Sequence, residues 1–350
     1  MHARIIAPLA AVAAVAVGAP PAAAADPLFA KQWAPQQVRA PQAWATSTGA
    51  GATIAIVDSG VDRDHPEFAG RLVGGATFLA CPTAGACGDG DWESGPAERQ
   101  AARSTHGTHV AGIAAAAKDN GYGIAGIAPD AQIIPVKVLD EEGGSFEDIA
   151  AGIRYAVDQG ADVVNLSLGA QPGTQALTFT GVIADVQDAI ADARARGVAV
   201  VAAAGNDFAS ICGTPAFDPG ALCVASTDKR ELRSAFSNFA VKPDLAAVAG
   251  PGGSLLPVCG EDVVSSVPLG TGASAACGYG ADFDEMAGTS MASPAVAGVA
   301  ALLAAQGRTD DEIMQVLLST SRKPGTSLRG IYDPVYGYGI VDAQAAVAAP

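Results

Sequence analysis

The strongest constraint on the fold is an alternation of apolar strand patterns with helical patterns in the middle of the chain. Three apolar runs have the length and composition of buried strands: 133–139, 163–168 and 198–204. Helical patterns lie between them, at 145–159 and 182–196, and each is followed by a glycine. Strand–helix–strand repetition predicts an α/β fold with a doubly wound, mostly parallel central sheet and helices on both faces.

Polar residues follow several of these strands. A further apolar run, Thr53–Val57, ends in Asp58, and Asn206 follows the run that closes at residue 204. Because the carboxyl ends of parallel strands share one edge of the sheet, where α/β folds place ligands, we expect both side chains on one rim. Each residue alone could equally be a turn former.

A short segment rich in small residues predicts a hydroxyl at a helix N-terminus. Ser290 lies within Gly288-Thr289-Ser290-Met291-Ala292-Ser293-Pro294, and an apolar helical pattern runs over 291–305. Pro294 falls in the first turn, where its missing N–H costs nothing. The partial positive charge of a helix N-terminus favours an oxyanion, although Ser290 could also be an ordinary N-cap.

Two of the four histidines lie three residues apart, at His106 and His109, ahead of a small apolar helix predicted over 113–117. A metal site of the H-x-x-H kind would need the glutamate and spacing of a zincin, which this segment does not have. A catalytic base at His106 with a packed second histidine explains the surrounding glycines better.

Asp58, His106 and Ser290 together supply a carboxylate, an imidazole and a hydroxyl. A serine hydroxyl becomes a nucleophile when a neutral imidazole takes its proton, and a buried carboxylate orients that imidazole and stabilises its cation. The Asn206 amide and the Ser290 N–H would then stabilise the oxyanion. The order Asp, His, Ser along the chain is that of subtilisin.

The three segments resemble the signatures of the subtilisin-like serine proteases (subtilases, peptidase family S8), and most closely those of its thermitase-like members. The resemblance covers residues 26–350 and rests on the motifs at Asp58-Ser59-Gly60, His106–Gly112 and Gly288–Pro294. It implies a serine endopeptidase that cleaves protein or peptide substrates through an acyl-enzyme. It also implies a substrate strand beside Ser167-Leu168-Gly169, and a primary specificity pocket bordered by Ala203, Gly205 and Gly213 with Asp207 at its mouth.

The same resemblance implies a structural calcium site. The side chains of Asp26, Glu67 and Asn120 match the family's ligands, and Ala117, Tyr122 and Ile124 would offer carbonyl oxygens. Glu67 stands where relatives more often have aspartate, but glutamate is also a good oxygen ligand for calcium.

The N-terminal 25 residues have the pattern of a signal peptide: Arg4, an apolar stretch, and Ala23-Ala24-Ala25 as a cleavage site. We therefore expect a secreted, monomeric protein with one catalytic domain over 26–350 that begins near Asp26 and has no separately folded pro-domain. Residues 26–44 are expected to be an extended arm, and residues from Tyr336 to begin a closing strand and helix. The formal charge of −16 argues against nucleic acid or an anionic membrane as partner.

Six cysteines in an exported chain predict disulfides, and six allow 15 pairings. Pairing of sequence neighbours is the simplest scheme: Cys81–Cys87, Cys212–Cys223 and Cys259–Cys277. A metal cluster is the competing interpretation, but the chain has no C-x-x-C pair.

Two other functions are compatible with the same machinery. One is an inactive family member that serves as a binding module; such a protein is expected to have lost a residue of the triad or the oxyanion site, whereas this chain keeps all four. The other is an esterase or acyltransferase, since ester and peptide hydrolysis share the acyl-enzyme chemistry.

Overall fold

The computed structural model describes residues 25–83, 85–170 and 183–350, so the predicted signal peptide lies almost entirely outside the described residues. The central sheet consists of seven strands: β1 Thr53–Asp58, β2 Ala76–Thr77, β3 Gln132–Lys137, β4 Val163–Leu166, β5 Ala199–Ala203, β6 Ala221–Thr227 and β7 Ala247–Pro251. Their order is β2-β3-β1-β4-β5-β6-β7, and all six pairings are parallel. The predicted fold class is confirmed. A separate antiparallel hairpin contains β8 Val263–Ser266 and β9 Phe283–Met286.

Helices cover both faces of the sheet. They are α1 Ala34–Gln37, α2 Ala40–Ala43, α3 His106–Ala115, α4 Phe146–Asp158, α5 Ala184–Ala195, α6 Thr289–Ala304, α7 Asp310–Thr320 and α8 Ala343–Val347. Successive side chains of a strand point to opposite faces. Accordingly Ile54 and Ile56 of β1 pack in the core that contains α3, α6, α7 and α8, whereas Ala55 and Val57 pack in the core beneath α4 and α5.

Helix α6 lies in the first core, and all its residues from Met291 to Leu303 are buried. It packs closely against α3, and Gly298 makes this approach possible. A Cβ at Gly298 would lie 2.6 Å from the Ile127 Cβ and 3.0 Å from the Ala114 carbonyl oxygen. Both helices therefore have fixed positions relative to the sheet, and so do their N-termini.

Strand β1 occupies the position at which the winding of the sheet changes direction. Strands β2 and β3 continue the sheet on one side of β1, and β4 to β7 continue it on the other. A crevice forms at the carboxyl ends of the strands at such a position, which is the usual ligand site in open α/β sheets. Asp58 is the last residue of β1.

Three disulfides join sequence neighbours: Cys81–Cys87, Cys212–Cys223 and Cys259–Cys277. The Cys259 and Cys277 sulfurs lie within 4.8 Å of a Glu285 carboxylate oxygen, which is a spacing that a metal ion could bridge. Both sulfurs are bonded to each other, however, so this group offers no thiolate ligand.

Three local predictions were wrong. Helix α3 begins at His106, not Ile113, and ends at Ala115. Residues 26–44 are not extended: they form a 3₁₀ turn at Phe29–Lys31 and the helices α1 and α2, because a proline in the first turn of each helix favours helical geometry. Beyond Tyr336 the chain makes isolated bridges, such as Ile340 with Ala249, in place of a regular strand. Of the described helices, none is long and apolar enough to cross a bilayer.

Candidate active site

A cleft of about 730 Å³ opens at the carboxyl edge of the sheet, and His106, Ser290 and the Ser167–Gly169 segment line it. A smaller adjoining pocket of about 190 Å³ is lined by further predicted site residues: Ala203, Gly205, Asn206 and Asp207, with Ser290 shared. The predicted substrate residue Gly213 does not line either cavity. Its N–H is bonded to the Ala204 carbonyl, and the next residues, Thr214 and Pro215, form the wall instead.

Asp58 is fully buried, and it is bonded to His106. Its Oδ1 lies 2.7 Å from the His106 Nδ1 and also accepts a hydrogen bond of 2.7 Å from the Ser59 N–H. The Ser59 hydroxyl in turn accepts from the Gly107 N–H at 2.9 Å. A buried carboxylate that lost these donors would carry an uncompensated charge, so the arrangement fixes the imidazole relative to β1.

The environment of His106 raises its pKa above the usual value near 6.5. Burial alone would lower it, but the charge of Asp58 and its hydrogen bond outweigh burial, and the Glu141 carboxylate adds to the effect. The His106 side chain is nevertheless 28 % exposed, on its cleft side. The ring can therefore take up a proton from a group in the cleft and hold it as a stabilised cation.

Ser290 lies in the first turn of α6. Its hydroxyl donates to the Ser167 carbonyl at 3.3 Å, and the Ser167 hydroxyl donates to the Ser290 carbonyl at 2.7 Å. No hydrogen bond joins Ser290 to His106 in the described part of the chain. Catalytic hydrogen bonds are often loose without substrate and tighten when it binds.

A buried polar network supports this turn. The Asn165 side chain donates to the Ser167 hydroxyl at 3.0 Å and accepts from the Ser293 hydroxyl at 2.8 Å. Asn165 and Ser293 are fully buried. Sequence analysis did not single them out, although a polar asparagine inside the apolar run of β4 was a visible signal.

The Asn206 side chain is held by hydrogen bonds to its carbonyl oxygen, so its amide nitrogen is free to donate into the pocket. The Oδ1 atom accepts from the Thr289 N–H at 2.9 Å and from the Thr289 hydroxyl at 3.0 Å. A Cβ at Gly288 would lie 3.4 Å from the Asn206 Nδ2, so the amide nitrogen lies beside the Gly288 backbone. Thr289, which sequence analysis did not assign, is thus the residue that orients Asn206.

His109 is buried and neutral. Its Nε2 lies 3.0 Å from the Val263 carbonyl, and burial, with the nearby His106 charge, lowers its pKa to about 3. It does not line the cleft, and among the described residues it belongs to no group of three or more metal-binding side chains. Its position agrees with the prediction of a packed histidine.

The predicted calcium ligands converge at the far end of α3. The Asp26 carboxylate accepts from the N–H groups of Asp119 and Asn120 at 2.8 and 3.0 Å. Glu67 accepts from the Asn120 amide at 2.9 Å and from the Ile124 N–H at 2.7 Å. Glu67 is fully buried, and burial raises its pKa to about 7 despite these hydrogen bonds.

This donor set fits a calcium ion. Two buried carboxylates, Asp26 and Glu67, lie in one cluster with the Asn120 side chain, whose Oδ1 accepts from the Tyr122 N–H. Carboxylate and amide oxygens are the hard ligands that calcium prefers. The backbone around Ala117 and Tyr122 belongs to the same cluster, because the Ala117 N–H bonds to the Glu67 carbonyl and the Tyr122 N–H to the Asn120 side chain.

Comparison with known proteins agrees with this geometry. The profile of the subtilase family matches residues 49–339. This chain belongs to that family. It is 41 % identical to thermitase from Thermoactinomyces vulgaris over 300 residues, which is 85 % of this chain and 91 % of thermitase. It is 36 % identical to the halolysin-like extracellular serine protease Nep from Natrialba magadii, over 92 % of this chain but 52 % of that protein.

Among solved structures, a protease from Pseudoalteromonas arctica PAMC 21717 superposes with a TM-score of 0.74 and 32 % identity. The match covers 93 % of this subtilase and 99 % of that protease. The subtilase described here is accordingly a hydrolase and a serine-type endopeptidase.

The first prediction concerns the proton on His106. We expect its pKa, measured by NMR titration of the imidazole, to lie above 6.5, and to fall in Asp58→Asn because burial remains while the compensating charge is lost. His109 is the internal control, since it should stay neutral down to about pH 3. A His106 pKa at or below 6.5, or one that the substitution leaves unchanged, would contradict the assigned pairing.

Proposed function

We propose that this subtilase is a secreted endopeptidase that uses Asp58, His106 and Ser290 as its catalytic triad. The observation that carries the proposal is the 2.7 Å contact between the His106 Nδ1 and the buried Asp58, in a cleft that Ser290 also lines. His106 in its neutral form takes the Ser290 proton as the hydroxyl attacks the substrate carbonyl. Asp58 holds the ring and stabilises the cation, and His106 then protonates the leaving amine.

The oxyanion of the tetrahedral intermediate is stabilised by the Asn206 Nδ2 and the Ser290 N–H. Two features support this role. The Asn206 Oδ1 accepts hydrogen bonds from Thr289, so the Asn206 amide nitrogen is left to face the pocket, and Ser290 lies at the N-terminus of α6. Donors that are already oriented stabilise developing charge without reorganisation. Water then hydrolyses the acyl-enzyme through the same groups.

The substrate backbone lies along Ser167-Leu168-Gly169, and the side chain before the cleaved bond enters the pocket between Ala203, Gly205 and Asp207. The Ala170 N–H bonds to the Thr214 carbonyl at 3.0 Å, which holds the end of this segment against the wall of the cleft.

A structural calcium ion completes the enzyme. Asp26, Glu67 and Asn120 would hold it, with carbonyl oxygens from Ala117, Tyr122 and Ile124. Its charge would compensate two clustered carboxylates, one of them fully buried, and would tie the N-terminal arm to the body of the domain. The ion takes no part in the chemistry.

The second prediction tests the nucleophile and the oxyanion site. Ser290→Ala should abolish hydrolysis of casein and of an activated ester while leaving the circular dichroism spectrum unchanged. Asn206→Ala should lower kcat roughly 10²–10³-fold with little change in KM, which is the loss that removal of one such donor causes in subtilisin.

In the same assays a serine-directed phosphonofluoridate should inactivate the wild type and modify Ser290 alone. Residual activity of Ser290→Ala above a few per cent, or an unchanged kcat in Asn206→Ala, would refute the assigned role of that residue.

The third prediction concerns calcium. A chelator should lower the melting temperature clearly and the initial rate only slightly. The reason is that a ligand at 100 times its Kd stabilises the folded state by about 2.7 kcal/mol, and the chelator removes this stabilisation. Glu67→Gln keeps the shape of the side chain but removes a ligand charge, so its melting temperature should respond less to calcium. A wild-type melting temperature that is the same with calcium and with chelator would exclude the site.

The fourth prediction concerns the mature N-terminus. The Asp26 carboxylate is buried and bonded to two N–H groups of the calcium loop, so a mature chain that begins near Asp26 would keep these contacts. N-terminal sequencing of secreted, active enzyme should give a start within a few residues of Asp26. The Ser290→Ala variant is the control, because removal of a signal peptide needs no activity of the enzyme itself. A mature chain that starts at Gly49 or beyond would lack Asp26, and would contradict both the assignment of residues 26–44 to the mature enzyme and the proposed calcium site.

A further inference from the structure

Three consecutive acidic residues, Asp140 to Glu142, line or border the cleft, and they differ in their partners. Arg99 binds Asp140 through two hydrogen bonds of 2.7 and 2.5 Å, and it also lies 3.2 Å from the Glu142 carboxylate. Glu141 has no ion pair among the described residues. The undescribed internal positions, 84 and 171–182, contain no lysine or arginine that could supply one.

Glu141 is the member of the three that is both exposed and part of the cleft wall. Its backbone N–H bonds to the Ala102 carbonyl at 2.9 Å, which holds the residue beside the segment that leads to His106. Its carboxylate is close enough to His106 to contribute to the raised pKa of the imidazole. The negative charge therefore acts within the cleft.

The cleft that Glu141 lines is partly apolar. Phe146, Ile149, Leu168 and Val186 belong to the same wall. In the described wall of the cleft and of the adjoining pocket there is no lysine or arginine, and His106 is the only basic side chain. A cleft that combines an unpaired carboxylate with apolar side chains suits a substrate side chain with a methylene stem and a cationic end.

We propose that Glu141 is a specificity-determining residue that selects substrates with lysine or arginine two to four positions before the cleaved bond. The inference rests on the proposed function, because it assumes that the cleft binds the acyl side of a peptide. The stem of the substrate side chain lies on the apolar surface, and its cation meets the Glu141 carboxylate. Peptides with an acidic residue at that position are disfavoured by repulsion.

The experiment uses fluorogenic peptides that carry lysine, norleucine or glutamate at each of the three positions in turn. Norleucine keeps the stem of lysine without the charge. An exposed ion pair is worth up to about 1 kcal/mol, so kcat/KM should be about two- to fivefold higher for lysine than for norleucine at one position, and lowest for glutamate. The preference should shrink in high salt, because screening shortens the reach of the charge.

Two matched variants assign the effect to the residue. Glu141→Gln should bring the ratio of kcat/KM for lysine to that for norleucine close to one. The ratio is the readout because loss of the Glu141 charge also lowers the His106 pKa, which changes kcat/KM for both peptides alike. Glu142→Gln removes the same charge one residue away, from a side chain that is outside the cleft wall, and should keep the preference.

The outcomes separate the two proposals. If the wild type cleaves norleucine peptides but shows no preference for lysine at any position, or if Glu141→Gln keeps the wild-type preference, the inference is refuted and the proposed function stands. If the wild type cleaves none of the peptides and no casein, the proposed function itself fails.

Discussion

The hydrogen bond between Asp58 and His106 is the interaction on which the site depends, and it needs most of the fold to exist. A fully buried carboxylate is costly unless donors compensate it. Here the compensation comes from the imidazole and the Ser59 N–H. Both donors are in place only because β1 ends where α3 begins. A Cβ at Gly107 would lie 2.2 Å from the Gly60 carbonyl oxygen, so glycine at 107 is what allows the start of the helix to approach the strand end.

The other half of the site depends on α6. Because this helix is buried along almost its whole length, its position is set by packing. The same packing therefore fixes the position of Ser290 in its first turn. The polar network of Asn165, Ser167 and Ser293 then links the turn to the end of β4. A fully satisfied buried network of this kind specifies one arrangement, since each unpaired group would be penalised. The position of the Ser290 hydroxyl is thereby set by the core.

Sequence patterns predicted the parallel sheet and the residues of the cleft because both follow from short-range rules. Buried strands are apolar runs, and polar residues at their carboxyl ends share one rim. The rest depended on contacts between distant segments. The early start of α3 at His106 is imposed by packing against β1 and the hairpin, which overrides the low helix propensity of its glycines. The contacts of Thr289 and Glu141 are also tertiary. Thr289 bonds to Asn206, 83 residues away, and Glu141 differs from its neighbours because Arg99 pairs with Asp140 and Glu142 and because Glu141 is exposed in the cleft wall.

Helix α3 connects the cleft with the cluster of Asp26, Glu67 and Asn120 that is proposed to bind calcium, and its geometry indicates how far the two are coupled. The helix has ten residues and is therefore about 15 Å long, with His106 at its start. Just beyond its end, the Ala117 N–H bonds to the Glu67 carbonyl. Loss of an ion would first release this end and the arm, whereas the start of the helix would remain held by Gly107, Ser59 and Asp58. The arm has further anchors of its own, including the Val38 carbonyl, which accepts from the Ala343 N–H of α8. The proposed calcium ion would thus affect the free energy of unfolding of the domain more than it affects the contact between Asp58 and His106.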